Sequence, residues 1–318
     1  MLAKEALKRI YRATIDKCVT RVRTAYYSEK KKSYGTENAD KVFYVIRRMD
    51  SYIGCGLFSH IITTVGSIKY AIDNNMVPVV DMMNYPNLYI SKDELHQVNP
   101  WEYYFEQPMG YTVKDIQHSK NIVLANGGII AQRPDASQSQ KDFSIWREYM
   151  EQYVRLKPDI KNKMDEEWKK MFVETDRVLG VLCRGTDYTS RKPKNHPIQP
   201  SIDMVVDKID SMLVGGGYNK IFLATEDLKI YDALKKKYGN MLYINKKIFV
   251  NYVEGKGIGV FHNKRDNDNF LKGYEYLTSI YFLSKCDSLL MGHCGGATGA
   301  LLFNDKYEEL FIWNLGKY

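Results

Sequence analysis

The sequence has only five cysteines in 318 residues, Cys18, Cys55, Cys183, Cys286 and Cys294, an odd number, widely scattered and without a CxxC pair. That argues against a disulfide framework and a structural zinc site, and the thiols are expected to be reduced. No apolar run reaches the roughly 18–20 residues that cross a bilayer, so a membrane span is not expected. The opening MLAKEALKRI is too charged for the apolar segment of a signal peptide, which predicts a cytoplasmic protein. Internal repeats, low-complexity tracts and heptad arrays are absent. Neither GxxxxGK[ST] nor GxGxxG occurs, so a Walker-type NTPase and an ordinary dinucleotide fold are not indicated.

What is present is globular composition, 44% hydrophobic and 26% charged, in a chain long enough for two domains. Lys and Arg number 46 against 38 Asp and Glu, and the resulting net charge of +8 favours an anionic partner. No nucleic-acid module is recognisable, and the cations concentrate in the amino-terminal segment and one loop, so nucleic acid is not the expected partner. The 25 Tyr and four Trp suit stacking on sugar rings or ordinary core packing. Over residues 1–34, Leu7, Ile10, Thr14, Cys18 and Val22 recur near helical spacing among cations, which predicts a basic amphipathic helix. It is either a peripheral anchor at the inner face of the membrane, through residues 1–30, or a helix packed on the body with a solvated cationic face.

Val42 to Ile46 and Val77 to Val80 read as strands flanking a helix from Phe58 to Ile72, a β-α-β unit. Residues 84–120 have weak periodicity, and Asn121 to Ala125 restores an apolar run. In this stretch the tyrosines, Trp101 and Gly127-Gly128 either line a sugar groove or form core and loop. Phe143 to Phe172 is a long polar helical pattern broken near Pro158. Beyond it, apolar runs at Val178 to Cys183, Lys220 to Ala224, Met241 to Ile244 and Ser288 to Met291 alternate with helical patterns at 202–213, 228–238, 273–285 and 296–303. Such alternation predicts a doubly wound parallel sheet. The expected division is an amino-terminal helix, 1–34, a first Rossmann-like domain, 35–170, and a second, 171–318.

Ligands of such sheets bind at the carboxyl ends of the strands, so the residues after each apolar run carry the chemistry. The first run leads into Arg184-Gly185-Thr186-Asp187, then Lys192, Lys194 and His196, where an Arg can fork onto phosphate and a glycine permits close approach. The second ends in Thr225-Glu226-Asp227, whose side chains accept hydrogen bonds from a base or ribose, or cap the helix that begins at Leu228. The third ends in His293-Cys294-Gly295-Gly296-Ala297-Thr298, small residues that expose N–H groups at a helix start and suit a diphosphate, or permit close helix packing. In the first half, Gly54-Cys55-Gly56 and His60 link a strand to a helix, and His60 and His196 are candidates for hydrogen bonding or proton transfer.

These residues resemble the α1,6-fucosyltransferases and their wider superfamily. Arg184-Gly185-Thr186-Asp187, followed nine residues after Asp187 by His196-Pro197-Ile198, is similar to the family's HxRxxD motif with its downstream HPI. Phe222 to Asp227 resembles the second motif, Leu283 to Asp287 with Gly292 to Gly296 resembles the third, and the Gly54 to His60 loop is similar to the glycine loop of the amino-terminal domain. The resemblance implies an α/β chain of GT-B type, two Rossmann-like doubly wound domains with a cleft between them. It implies inverting, metal-independent transfer of fucose from GDP-fucose, with no cofactor; the absent signal peptide and the basic helix point to a surface glycan, such as a capsule or lipid-linked oligosaccharide, as acceptor. Arg184 would grip the β-phosphate, Glu226 or Asp227 the guanine, and Gly295, Gly296 and Thr298 the phosphates. Stabilising the charge of a departing diphosphate is a large catalytic contribution, and Arg with helix N–H groups supplies it.

Three positions depart from the pattern. Leu182 stands in place of the motif's first His, Gly185 in place of a second Arg, and Lys192 where the α1,6 enzymes carry a Glu proposed as base. Asp187 and then His196 are the remaining candidate bases, while Lys192 and Lys194 add positive charge around the diphosphate. A manganese site at Asp266-Asn267-Asp268 is the competing enzyme reading, disfavoured because that tripeptide does not follow an apolar strand. A sugar-binding protein of the same fold without turnover and a transferase using another nucleotide sugar are also compatible with these residues.

Overall fold

The protein is described from a computed structural model over residues 28–49, 54–128, 130–249 and 263–318, the side chain of Asp187 excepted. In the amino-terminal half, strands β1 (Lys30–Lys32) and β2 (Phe43–Ile46) are followed by helix α1 (Leu57–Asp73), then β3 (Val77–Val80) and β4 (Ile122–Leu124). The strands form one sheet in the order β1-β4-β2-β3, with β2 parallel to both β3 and β4 and β1 antiparallel to β4. The helix expected over 1–34 is therefore corrected at its end. Its residues 1–27 lie outside the described residues, but Lys30–Lys32 is a strand. An edge strand pairs through its backbone and needs no apolar stripe, and lysines discourage addition of a further strand.

The helical pattern of 143–172 resolves into α2 (Gln140–Tyr153) and α3 (Pro158–Met171). Pro158 occupies the first turn of α3, where its missing N–H leaves no partner unsatisfied. The second sheet follows in alternation: β5 (Val178–Leu182), α4 (Thr186–Arg191), α5 (Ile202–Gly216), β6 (Lys220–Ala224), α6 (Leu228–Tyr238), β7 (Leu242–Tyr243), α7 (Asp268–Leu283), β8 (Ser288–Gly292), α8 (Gly295–Phe303) and β9 (Leu310–Trp313). Its five strands are all parallel, in the order β7-β6-β5-β8-β9. Both faces of β5 and β8 are covered, which is why these segments read as continuous apolar runs.

One face of this sheet packs on α5 and α6 through Leu179, Val181, Ile209 and Leu234. The other packs on α7 and α8, and there the core continues into the amino-terminal half, with Phe58, Ile61 and Val65 of α1 against Leu277, Ala297 and Ala300. A Cβ on Gly299 would fall on the ring of Phe58, so α1 and α8 meet at glycine distance. Truncating Phe58 to Ala would cost roughly 3–5 kcal/mol. The opposite face of the first sheet, Phe43, Val45 and Val79, is covered by loop residues Tyr111, Val113 and Ile116. Trp101, a candidate for a sugar groove, is fully buried and stacked on Phe105 with ring centroids 4.5 Å apart, so it belongs to the core.

In chain order α1 follows β2 and α8 follows β8. Their first turns touch: a Cβ on Gly295 would lie 3.7 Å from that of Phe58. The carboxyl edges of the two sheets thereby come side by side.

Candidate functional site

In chain order the second sheet runs 3-2-1-4-5, so the direction of winding reverses between β5 and β8. Such a reversal opens a crevice beyond the carboxyl ends of the two strands, the usual ligand position of a doubly wound sheet. Arg184 follows β5 and His293 follows β8, one on each side of it.

Arg184 is held in a built turn. Its Nε lies 3.5 Å from Glu226 Oε1, and its guanidinium stands 4.8 Å from the ring centroid of Tyr188, a cation–π arrangement. Burial pulls the guanidinium down, but the carboxylate of Glu226 outweighs it, so Arg184 stays charged. The Gly185 N–H donates to Glu226 Oε1 at 3.0 Å, the Thr186 N–H to Asp227 Oδ2 at 2.9 Å, and the Thr186 hydroxyl to Glu226 Oε1 at 3.1 Å. Thr186 has φ of 44°, rare for a β-branched residue, and these bonds hold it there. The acidic pair expected to meet a base thus carries hydrogen bonds of the Arg184 turn. Asp227 also caps α6, accepting from the Lys229 N–H at 2.8 Å, and the Thr225 hydroxyl accepts from the Asp227 N–H at 3.1 Å.

Across the reversal, α8 begins at Cys294 with extended backbone and no capping side-chain bond. Its two leading glycines differ in role. A Cβ on Gly296 would lie 2.9 Å from Ile280 and 3.1 Å from the Tyr276 hydroxyl, so Gly296 serves close packing. A Cβ on Gly295 would meet Phe58 at 3.7 Å and Ile62 at 3.8 Å, ordinary contact distances, and the residue is half-buried, so the start of α8 is partly exposed, where its N–H groups and positive helix end favour an anion. Burial pushes the Cys294 thiol up, against the pull of Arg184 and of the Ala297 and Gly296 N–H groups. Leu182, 3% exposed, ends β5 as core and would be 3.5 Å from a Cβ on Gly296.

No protein-family model matches the sequence, and no curated protein matches it. Solved structures do. Fucosyltransferase NodZ from Bradyrhizobium is similar over 83% of this chain and 94% of its own, at 13% identity and a TM-score of 0.53. NodZ alpha-1,6-fucosyltransferase co-crystallized with GDP is similar over 83% and 93%, at 12% identity and a TM-score of 0.52. The fold is GT-B.

Within the GT-B frame the expected residues separate into groups. Arg184, Thr225, Glu226 and Asp227 converge on the edge of β5 and β6, and His293, Gly295 and Gly296 lie across the reversal. Gly54, with φ of 102°, and Gly56, the cap of α1, come from the first half, and a Cβ on Gly56 would sit 3.7 Å from the Tyr276 ring. His196 is exposed, its ring 5.5 Å from Tyr188 and its backbone paired with the Tyr318 N–H, and Lys192 and Lys194 are exposed on the same loop. Asp187 lies in α4, and its side chain is outside the described residues.

Two expected contacts are placed elsewhere. His60 is 2% exposed and sits beside Arg48, where burial drives its imidazole down to about 3 and keeps it neutral. Its Nε2, without a hydrogen-bond partner, lies by a cavity of about 10 Å³, room for about one water. Thr298 is 5% exposed and its hydroxyl accepts the Ala136 N–H at 3.1 Å, tying the first half to α8 instead of facing an open phosphate site. Asp268, of the competing metal reading, opens α7 and pairs with Arg265 at 2.8 Å.

Three site residues were not anticipated. Tyr276, midway along α7, adjoins Gly56, Gly296 and the ring of Phe58 at 5.2 Å, and burial pushes its hydroxyl well up. Lys247 donates to the Thr225 carbonyl at 2.9 Å and the Ser279 hydroxyl at 3.1 Å. Burial brings its ammonium down to about 8, against the pull of Glu226 and Glu275. Lys247 follows the apolar run of β7, so the strand-end rule that singled out Arg184 would have found it. Asp135, from the first half, draws the imidazole of His293 upward, although burial is the larger effect and lowers it.

Proposed function

We propose that this chain is an inverting, metal-independent glycosyltransferase of fucosyltransferase type, with GDP-fucose as donor and a surface glycan or lipid-linked oligosaccharide as acceptor. The observation that carries the reading is the pairing of a braced, charged Arg184 with the partly exposed start of α8 across the strand-order reversal. A diphosphate seated there meets a guanidinium on one side and helix N–H groups on the other. As the bond to the sugar breaks, negative charge grows on the departing diphosphate, and both partners strengthen toward it without a divalent cation. The GDP named for the NodZ crystal supports a nucleoside diphosphate as ligand.

Asp187 is the first candidate for accepting the acceptor's proton and His196 the second, since both follow β5. The first half, to about residue 170, takes the acceptor and the second the donor. Among the described residues no helix is long and apolar enough to cross a membrane. A cytoplasmic enzyme touching the inner membrane face through residues 1–30 fits the reading.

The test is thermal stabilisation of the chain by GDP-, UDP-, dTDP- and CMP-sugars, with and without EDTA. A ligand of the folded state raises the melting temperature in proportion to the logarithm of its excess over Kd. A selective, EDTA-insensitive response to GDP-fucose supports the donor. A selective response to another nucleotide sugar replaces it, and no response to any of them favours a binding protein.

A further inference from the structure

Beyond the carboxyl end of β3 lies a cavity of about 220 Å³ that none of the residues expected to hold the donor touches. It lies within the stretch 84–120 that the sequence pattern leaves unreadable. Its wall combines the half-buried ring of Tyr103 with Met83 and two valines, and sets Glu102, Asn99, Gln97 and Lys114 around them. The polar groups are positioned. Glu102 Oε1 accepts from Asn99 Nδ2 at 3.2 Å and Gln107 Nε2 at 2.8 Å, and Asn99 is itself fixed to the Val80 carbonyl at 2.8 Å and the Met82 N–H at 3.1 Å. A carboxylate has about four acceptor positions, more than these two bonds use.

An aromatic platform with a carboxylate and amides at its rim matches a ligand that is apolar on one face and hydroxylated at its edge. One carboxylate and one ammonium leave the wall nearly neutral, which disfavours a phosphate. We propose that this cavity is a saccharide subsite that seats one pyranose ring on Tyr103. The proposal rests on the glycosyltransferase reading in assigning that ring to the acceptor.

The position relative to the donor edge supports this. The rings of Tyr103 and Phe270 lie nearly perpendicular with centroids 5.8 Å apart, and the Tyr104 hydroxyl donates to the Phe270 carbonyl at 2.7 Å, in the first turn of α7. Tyr276, six residues further along the same helix, adjoins Gly56 and Gly296. Phe270, against the cavity's Tyr103, and Tyr276, at the donor edge, are thus about 9 Å apart along one helix.

The experiment is saturation-transfer NMR on the full chain with the methyl glycosides of glucose, galactose, mannose, fucose and N-acetylglucosamine, with GDP and GDP-fucose as parallel probes. The expected result is transfer to the ring protons of at least one glycoside, retained in Tyr103→Phe and lost in Tyr103→Ala and in Gln97→Trp, which fills the cavity from an exposed position. The thermal response to GDP should stay unchanged in all three variants. Absence of transfer to every glycoside, or transfer that survives both Tyr103→Ala and Gln97→Trp, overturns the proposal. So does loss of the GDP-fucose sugar signal in Gln97→Trp, which would give the cavity to the donor. Glycoside transfer without any GDP response retires the transferase reading and keeps the saccharide site.

Discussion

Replacing Gly185 by Ala tests whether the Arg184 turn is built as described. The added Cβ would fall on Asp227 Oδ2 and within 2.7 Å of the Asp227 Cβ and Cγ. Gly185 has φ of −125°, outside the left-handed region, so collision carries the effect. Asp227 cannot yield cheaply, because one oxygen accepts from the Thr186 N–H at 2.9 Å and the other from the Lys229 N–H at 2.8 Å. Turning the carboxylate away sacrifices the α6 cap, about 1 kcal/mol, and a charged hydrogen bond of about 1.5–3 kcal/mol. The stiffer unfolded chain returns only about 0.4–1 kcal/mol. A net loss of about 2–3 kcal/mol corresponds, for a chain of 318 residues, to a fall of roughly 3–5 °C in melting temperature, with loss of the GDP response as Arg184 leaves its place. Urea and thermal denaturation measure the first effect and nucleotide-dependent stabilisation the second. Asp227→Gly removes the obstacle, so the double variant should be no less stable than Asp227→Gly alone. Additive costs, or a Gly185→Ala protein as stable as wild type, would refute the packing argument.

Arg184→Ala should abolish transfer from GDP-fucose while the protein still melts cooperatively near the wild-type temperature, and retained activity in a product assay would remove Arg184 from the mechanism. His60, with a folded value of about 3 against an unfolded one near 6.5, contributes fully above the unfolded value. Its contribution is lost as pH falls toward 3, by about 1.4 kcal/mol per unit. His60→Met should flatten denaturation free energies between pH 6 and 4 by that slope relative to wild type, and an identical slope would contradict the buried neutral imidazole. Lys247 behaves in the opposite range: its folded value of about 8 lies below the unfolded one, so burial of the ammonium costs stability at neutral pH and the cost fades as pH rises toward 10. Lys247→Met should remove that rise in stability between pH 8 and 10, measured in urea. The stabilisation by GDP should be equal in EDTA and in manganese, since Arg184 and the α8 N–H groups supply the positive charge; dependence on manganese would reopen a metal-assisted mechanism.

Much of the second sheet was legible because a parallel strand buried on both faces must be apolar along its whole length, as Val178–Leu182 and Ser288–Gly292 are. Residues that follow such runs lie at the ligand edge of the sheet, so Arg184, Glu226 and Gly295 could be named from order alone. The first half was harder for the same reason reversed. Lys30–Lys32 takes its strand conformation from pairing with Ile122–Leu124, a partner remote in sequence, and its side chains carry no strand signal. The saccharide cavity is assembled from turns between residues 83 and 114, where periodicity is weak because the backbone is held by side chains such as Asn99 and Gln107.

By itself the sequence determined the alternation of strands and helices, and with it the edge where chemistry must gather, because those depend on burial patterns local to each segment. Only the tertiary structure decided which neighbours each edge residue meets. Gly295 and Gly296 are the same residue in adjacent places, yet a Cβ on one would meet Phe58 and Ile62 at ordinary contact distance, while on the other it would crowd Ile280 and the Tyr276 hydroxyl. Glu226 and Asp227 carry carboxylates that suit a guanine, yet their hydrogen bonds go to Gly185, Thr186 and Lys229. The division follows from physics: a residue's type sets what it can bond, and packing across distant segments sets what lies within reach.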